Sequence, residues 1–234
     1  MRARQRHFKY KSIGPRAAYD ARYISGLSDG AAVSSWSDLS GNGFTATQGT
    51  TARQPSYKTA AIGGSPSVRF DGAGDNLTHS ITNNATHTSF IVLNRLSSQT
   101  GDRGIYQVGT TGAAGDMVLL LRSSAVDKWC TYTTNYVYAN TAIGTSSPCI
   151  LSSNDNAGSG GAFFFGGAAD GTWTGNGVAQ GINHIGGYYT ASPLVDQTSN
   201  IDIGALMMTS ATLSDSLRKL VQNSLAYSFK IACS

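Results

Sequence analysis

Apolar and polar residues alternate along much of the chain in the way that β-strands require. In Ser67–Asp71, Val68 and Phe70 fall on the same side of an extended segment, which predicts a strand with one face in a core. The largely apolar runs Ser89–Leu93 and Met117–Leu121 predict strands that are buried on both faces, at the centre of a sandwich. The other predicted strands are Trp129–Thr133, Val137–Ala139, Cys149–Ser152, Ala162–Phe165, His184–Tyr189 and Ile201–Met208.

Clusters of Gly, Asn and Asp separate these segments and predict tight turns between them. Strands at a spacing of about 8–12 residues are typical of sandwiches and barrels, and the chain shows no repeat of solenoid or propeller period. The turn signals lie at residues 41–43, 71–72, 154–156, 158–161, 170–171 and 175–177.

An amphipathic helix is predicted near the C-terminus. Ser214 is a suitable N-cap, and the carboxylate of Asp215 would lie in the first turn, where the helix dipole favours negative charge. Residues at positions i, i+3, i+4, i+7 and i+8 share one face of a helix. The predicted packing face consists of Leu217, Leu220, Val221, Ser224 and Leu225.

Positive charge is concentrated at the N-terminus. Residues 1–22 carry seven basic side chains and one acidic side chain, a net charge of +6, whereas residues 23–234 carry ten basic and twelve acidic side chains, a net charge of −2. We therefore predict a basic arm over residues 1–16 and one globular domain over residues 17–234. The arm is either a solvated tail or an anchor on an acidic surface, and the anchoring residues would be Arg2, Arg4, Arg6, Lys9 and Lys11.

Three stretches in order resemble the laminin-G-like (concanavalin A-like lectin/glucanase) jelly-roll domains found in tailed-phage virion proteins. The first is Trp36–Gly43, the second runs from Arg53–Tyr57 to Val68–Leu77, and the third is Ile203–Met208 with the helix that follows. The resemblance covers about residues 17–230. It implies an all-β fold, a two-sheet antiparallel jelly-roll sandwich with one short C-terminal helix.

The resemblance also implies a function. It suggests a non-catalytic virion structural protein of a tailed phage, a capsid decoration, head fibre or tail fibre, which is assembled in the host cytoplasm and then exposed extracellularly. Its expected partners are other virion proteins, further copies of itself and a glycan on the host surface. The alternative is a lectin-like carbohydrate-binding module of a secreted bacterial protein. No apolar run is long enough for an export signal or a membrane span, so membrane insertion is not expected.

The acidic residues argue against catalysis. All thirteen are aspartates, and the sequence contains no glutamate. The glucanases that this chain resembles use paired glutamates, and glycoside hydrolysis in general needs two carboxylates at a set spacing. No predicted strand carries two aspartates on one face, and no G-x-S-x-G motif occurs. We therefore predict no catalytic residues. Nucleic-acid binding is also unfavoured, because only Phe8 and Tyr10 accompany the basic arm.

Glycan binding needs exposed aromatic rings beside polar groups, because the C–H faces of sugars stack on rings. The candidates are Trp173, in a predicted loop, and Tyr188 and Tyr189. The three tyrosines at positions 132, 136 and 138 also alternate along a possible strand face. For each of these rings the competing interpretation is packing within the sandwich.

Hard oxygen ligands are frequent enough to suggest a structural calcium ion. Its candidate ligands are Asp38, Asn42, Asp71 and Asp75. The competing interpretation is that Asp38 and Asn42 only satisfy backbone groups of their loop. The three cysteines leave at least one thiol unpaired; a Cys130–Cys149 disulfide and fully reduced thiols both remain open.

Overall fold

Two antiparallel β-sheets packed face to face form the protein. The computed structural model describes residues 13–81, 86–108, 117–122, 127–133, 135–156, 159–175, 183–187 and 197–232. Within these residues, sixteen strands form two sheets of eight, and one α-helix follows the last strand. This confirms the predicted all-β sandwich with a C-terminal helix. The elements are β1 (Pro15–Asp20), β2 (Ser35–Trp36), β3 (Ala46–Thr47), β4 (Ser56–Ile62), β5 (Ser65–Asp71), β6 (Leu77–His79), β7 (His87–Arg95), β8 (Asp102–Val108), β9 (Met117–Arg122), β10 (Lys128–Tyr132), β11 (Tyr136–Ala142), β12 (Cys149–Asp155), β13 (Gly161–Phe165), β14 (Ala168–Trp173), β15 (Asn183–Ile185), β16 (Asn200–Thr209) and α1 (Asp215–Phe229).

Sheet A has the strand order β14-β13-β12-β7-β16-β5-β4, and sheet B has the order β11-β10-β9-β8-β15-β6-β3-β2. The long strand β16 pairs with β5 through Asn200–Ile203 and with β1 through Ala205–Thr209. Strand β1 begins at Pro15, so its first two residues lie within the predicted arm. The anchoring residues Arg2, Arg4, Arg6, Lys9 and Lys11 lie outside the described residues.

Strand β7 shows why the central apolar runs have no polar side. Ile91 and Leu93 pack into the core between the two sheets, whereas Phe90 and Val92 pack into a second cluster beneath α1. All nine residues of β7 are buried. The prediction that Ser89–Leu93 is buried on both faces is confirmed, because α1 covers the side of sheet A that faces away from sheet B.

The helix begins as predicted, but its packing face coincides only in part with the predicted one. The hydroxyl of Ser214 accepts a hydrogen bond from the backbone N–H of Leu217, which confirms the N-cap. Of the predicted face, Val221 and Leu225 are buried as expected, whereas Leu220 is 62% exposed. The buried residues are Arg218, Val221, Gln222, Leu225, Ala226 and Phe229.

The packing face differs from the predicted one partly because Arg218 is buried. Its guanidinium carbon lies 3.5 Å from the centroid of the Phe164 ring, and its Nη2 donates to the carbonyl of Gly167 at 3.2 Å. Arginine can bury its aliphatic stem and stack its planar head on an aromatic ring. A buried arginine is therefore part of the packing face, although a hydropathy pattern counts it as polar.

The predicted turn at residues 170–171 is also corrected. Asp170 and Gly171 lie inside β14, and the reversal occurs at the preceding pair, Gly166 and Gly167. The backbone of β14 pairs with β13, and the carboxylate of Asp170 accepts hydrogen bonds from β11 of sheet B, from the N–H and hydroxyl of Thr141 at 2.9 and 2.6 Å.

The two described cysteines lie in different sheets. Cys130 is in β10 of sheet B and Cys149 is in β12 of sheet A. They form no disulfide with each other, and burial raises the pKa of the Cys149 thiol to about 12. Among the described residues, no helix is both long enough and apolar enough to cross a membrane.

Candidate binding surface on the outer face of sheet B

The outer faces of the two sheets differ in what covers them. The outer face of sheet A carries apolar side chains such as Phe90 and Met207, which pack against Val221 and Phe229 of α1. The outer face of sheet B instead carries a separate small cluster around the buried Cys130. Three partly buried tyrosines complete this tyrosine cluster: Tyr132, Tyr136 and Tyr138.

The β10–β11 register brings these tyrosines together. Tyr132 lies opposite Tyr136, and Cys130 lies opposite Tyr138. Since side chains alternate across a strand, the intervening Trp129 packs into the core between the sheets. The ring centroids of Tyr132 and Tyr136 are 4.9 Å apart, and those of Tyr136 and Tyr138 are 6.4 Å apart. The result is a continuous aromatic surface with three phenolic hydroxyls.

A carboxylate completes the tyrosine cluster. Asp102 is the first residue of β8, and its Oδ2 accepts a hydrogen bond from the hydroxyl of Tyr136. The bond fixes the orientation of that hydroxyl. Ring faces beside a carboxylate and hydroxyls can contact both the C–H groups and the hydroxyl groups of a polyol.

Polar residues continue across the same face towards the far edge of the sheet. Thr78 of β6 lies opposite both His184 of β15 and Thr47 of β3, and Thr47 lies opposite Ser35 of β2. Ser35 and Thr47 are exposed, whereas His184 is buried. The outer face of sheet B is therefore polar from β2 to β15, and aromatic at β10 and β11.

His184 has an unusual environment for an imidazole. The residue is 1% exposed, and neither ring nitrogen has a hydrogen-bond partner within the part of the chain that the structure describes. Burial lowers the pKa of His184 to about 4. The ring is therefore neutral at pH 7, with one donor and one acceptor nitrogen.

A second buried histidine lies on the inner side of the same strands. His79 stacks on Tyr106 with ring centroids 5.5 Å apart, and its Nε2 lies 3.1 Å from the carbonyl oxygen of Gln107. Burial, with a smaller contribution from nearby His184, lowers the pKa of His79 to about 3. In the folded protein, both imidazole rings are therefore in the neutral form at pH 7.

The predicted sugar-binding ring of Trp173 is in the core. Trp173 is 4% exposed, and its ring centroid lies 4.5 Å from that of Phe163. The residue belongs to β14 and faces the other sheet, so the prediction of an exposed loop tryptophan is wrong. Tyr188 and Tyr189 lie outside the described residues.

Two of the predicted calcium ligands hold their loop onto β1. The Oδ1 atom of Asp38 accepts from the N–H groups of Ala18 and Ser40 at 3.0 and 2.9 Å, and Oδ2 accepts from the N–H of Phe44 at 3.1 Å. The side-chain amide of Asn42 donates to the Arg16 carbonyl at 2.9 Å. These bonds agree with the interpretation that both side chains satisfy backbone groups.

The other two predicted ligands lie in a different loop, between β5 and β6. The Oδ2 atom of Asp75 accepts from the backbone N–H of Asp71 at 3.1 Å, and burial followed by the Asp71 charge raises the pKa of Asp75 to about 6. Within the described residues, no three His, Cys, Asp or Glu side chains are grouped to hold a metal ion. Asp38, Asn42, Asp71 and Asp75 therefore do not form one ligand set.

The sequence alone did not predict the polar half of the outer face of sheet B. The tyrosine alternation is visible in the sequence, because positions 136 and 138 are two residues apart. Asp102 reaches Tyr136 across a separation of 34 residues. The position of His184 on the same face depends on its pairing with Thr78 in β6. No local pattern reports such non-local pairings.

Comparison with known proteins identifies the fold and no family. No protein-family model matches the chain, and no curated protein sequence matches it. Trypanosoma rangeli sialidase in complex with sialic acid matches with a TM-score of 0.62 and 14% identity, over 94% of this chain and 34% of that chain. A mutant of that sialidase displaying trans-sialidase activity has a TM-score of 0.64 and 12% identity, over 95% and 34%. The binding domain of Botulinum neurotoxin serotype D has a TM-score of 0.62 and 10% identity, over 93% and 53%.

These similarities cover nearly all of this chain but only part of each neighbour. The chain spans about a third of the sialidases and about half of the toxin domain. Identities this low carry information about the fold and not about the activity. The chain therefore has a β-sandwich fold that occurs as a portion of these larger proteins.

Proposed function

We propose that this chain is a non-catalytic carbohydrate-binding module, whose ligand lies on the outer face of sheet B against the tyrosine cluster. The observation that carries the proposal is the contiguous set of Tyr132, Tyr136 and Tyr138 rings on a face that α1 does not cover. Tyrosine is well suited to this role, because its ring offers apolar area at low conformational cost while its hydroxyl exchanges hydrogen bonds with a polar ligand.

The neighbouring polar groups support a sugar rather than an apolar ligand. The carboxylate of Asp102 is bonded to Tyr136 at the margin of the cluster, and each of the three tyrosines carries a hydroxyl that can donate and accept. A polyol needs several hydrogen-bonding groups of both kinds beside an apolar patch. The sialidase neighbour, of which this chain matches 34%, was solved with sialic acid bound.

A binding role is supported over hydrolysis by the chemistry of the acidic residues. The usual mechanism of glycosidic-bond hydrolysis uses an acid and a second carboxylate about 5–10 Å away. The sequence contains no glutamate, and the carboxylate that contacts the tyrosine cluster is Asp102. Incubation with oligosaccharides is expected to leave them intact.

Alanine substitutions in the tyrosine cluster test the proposal. We expect Tyr136→Ala and Tyr138→Ala each to weaken glycan binding about tenfold or more, since loss of one stacked ring removes roughly 1.4 kcal/mol or more. Tyr136→Phe retains the ring but lacks the hydrogen bond to Asp102. Its glycan affinity should therefore fall less than that of Tyr136→Ala. A glycan array with the full chain identifies the ligand, and titration calorimetry measures each affinity.

Tyr227→Ala is the matched control, because this tyrosine is 72% exposed on α1, outside the sheet B face. It should bind like the unaltered chain. Absence of any bound glycan on a broad array, or equal binding by Tyr136→Ala, Tyr138→Ala and Tyr227→Ala, would reject the proposed surface.

The setting of this module is a second proposal. We infer display on a tailed-phage particle from the sequence resemblance and from the basic residues concentrated in residues 1–22. Basic side chains bind acidic protein surfaces through long-range attraction. A secreted bacterial module is the alternative, which predicts sugar affinity without particle association.

Deletion of residues 1–12 is expected to abolish incorporation into particles while leaving the sandwich folded, because β1 begins at Pro15. Mass spectrometry of purified virions, together with the circular dichroism spectrum of the shortened protein, measures both effects. Stoichiometric loading of the shortened protein would contradict anchoring by the arm. Absence of the full chain from virions would favour the secreted module.

A further inference from the structure

A small pocket lies at the edge of sheet B that is opposite the tyrosine cluster. It has a volume of about 250 Å³ and is formed around β2, the 3-10 turn Ala21–Tyr23 and the loops that follow each of them. Its volume is below the roughly 300–1,000 Å³ of pockets that hold drug-sized ligands. An occupant must therefore be small, with the dimensions of a single monosaccharide or similar polyol.

Hydroxyl groups dominate the accessible side chains of the pocket. Its lining includes four exposed serines, Ser25, Ser34, Ser35 and Ser37. Each hydroxyl can donate one hydrogen bond and accept others. Four such groups around one small volume match a ligand that itself carries several hydroxyls.

Aromatic residues supply the remaining recognition chemistry. Tyr23, which is 49% exposed, and the buried Trp36 both line the pocket. The indole N–H of Trp36 has no acceptor within the described residues, although buried indole N–H groups usually find one. A ligand oxygen in the pocket would satisfy this donor.

The charge of the pocket favours a neutral ligand. The buried carboxylate of Asp20 lines it, but Arg22 neutralises that carboxylate through a bidentate interaction, in which Nε donates to Oδ1 at 3.0 Å and Nη2 donates to Oδ2. A paired carboxylate leaves no net charge to attract an ionic ligand.

We propose that this pocket is a second binding site, which takes one neutral monosaccharide or polyol. The site is separate from the tyrosine cluster, because β2 and β11 are the opposite edges of sheet B. Seven strand spacings of about 4.8 Å put the two sites roughly 30 Å apart. The proposal does not depend on glycan binding by the tyrosine cluster.

Tryptophan fluorescence of the full chain tests the site. The probes are the methyl glycosides of glucose, galactose, mannose and N-acetylglucosamine, with glycerol as the simplest polyol. At least one should shift the emission at millimolar concentration, because Trp36 lines the pocket. Ser25→Phe should fill the pocket and Tyr23→Ala should remove its exposed ring, each weakening the response about tenfold.

Matched variants distinguish the pocket from the other surface. Ser216→Phe and Tyr227→Ala make the same changes at exposed positions of α1 and should respond like the unaltered chain, as should Tyr136→Ala. Trp36→Phe keeps an aromatic ring without the N–H, so calorimetry should show weaker binding. The site is overturned if no probe binds, or if binding is lost in Tyr136→Ala and retained in Ser25→Phe.

Discussion

Acidification from pH 7 to pH 4.5 is expected to lower the free energy of unfolding by about 2–3 kcal/mol, mainly through two histidines. Burial lowers the pKa of His79 to about 3 and that of His184 to about 4, whereas a histidine in the unfolded chain has a pKa near 6.5. The unfolded state therefore binds more protons once the pH falls below about 6.5, and stability decreases from there towards pH 4. Each histidine contributes a loss of about 2 kcal/mol over this range.

Asp75 acts in the opposite direction. Its pKa is raised to about 6 in the folded protein, above the value of about 3.9 for an unfolded aspartate. The folded state therefore takes up a proton between pH 6 and pH 4, and this offsets roughly half of the loss caused by the histidines. Asp75→Asn is expected to make the pH dependence steeper.

Urea unfolding at pH 7 and pH 4.5 measures these effects. His184→Leu should reduce the pH dependence by about 2 kcal/mol. Stability at pH 7 should be retained, because the change removes two ring nitrogens that have no partner in the described residues. An Asp75→Asn protein with equal unfolding free energies at the two pH values would show that the histidines are not buried as neutral groups.

Trp129→Ala is expected to cost about 3–5 kcal/mol of stability. Trp129 is fully buried and joins the two sheets, since it belongs to β10 of sheet B and contacts Phe163 of sheet A at a centroid distance of 4.7 Å. Its indole N–H also donates to Asp170 of sheet A at 3.2 Å. Truncation to alanine removes both the packing and the hydrogen bond, and leaves a cavity between the sheets.

Trp129→Phe separates the two contributions. It retains an aromatic ring against Phe163 and loses the bond to Asp170, so a smaller cost of about 1–2 kcal/mol is expected. Tyr227→Ala, at an exposed position of α1, should change stability by less than about 0.5 kcal/mol. Chemical denaturation of the three variants measures the series, and a Trp129→Ala protein as stable as Tyr227→Ala would contradict the packing.

The two proposed binding sites differ in how visible they are in the sequence. Tyr136 and Tyr138 are an alternating pair within a single strand, so their common face follows from the period of a β-strand. The pocket at β2 combines the 3-10 turn at Ala21–Tyr23 with residues up to Leu39. Its serines show no periodic pattern, so they become a site only when these loops fold back on β1 and β2.

The sequence by itself determined what depends on neighbours a few residues apart. The apolar run at Ser89–Leu93 indicated a central strand, and Ser214 indicated the start of the helix, because strand period and capping are local properties. It also excluded glutamate-based catalysis, since composition alone decides that.

Only the tertiary structure decided which strands pair and which face of each strand is covered. Period two assigns side chains to two faces but does not say which face meets the core, so Trp173 proved to be buried while the tyrosine cluster lies on the outer face of sheet B. Likewise, Arg218 lies on the packing face of α1 because Phe164 of another element receives its guanidinium. These outcomes depend on contacts between residues far apart in the chain, and a local pattern contains no information about them.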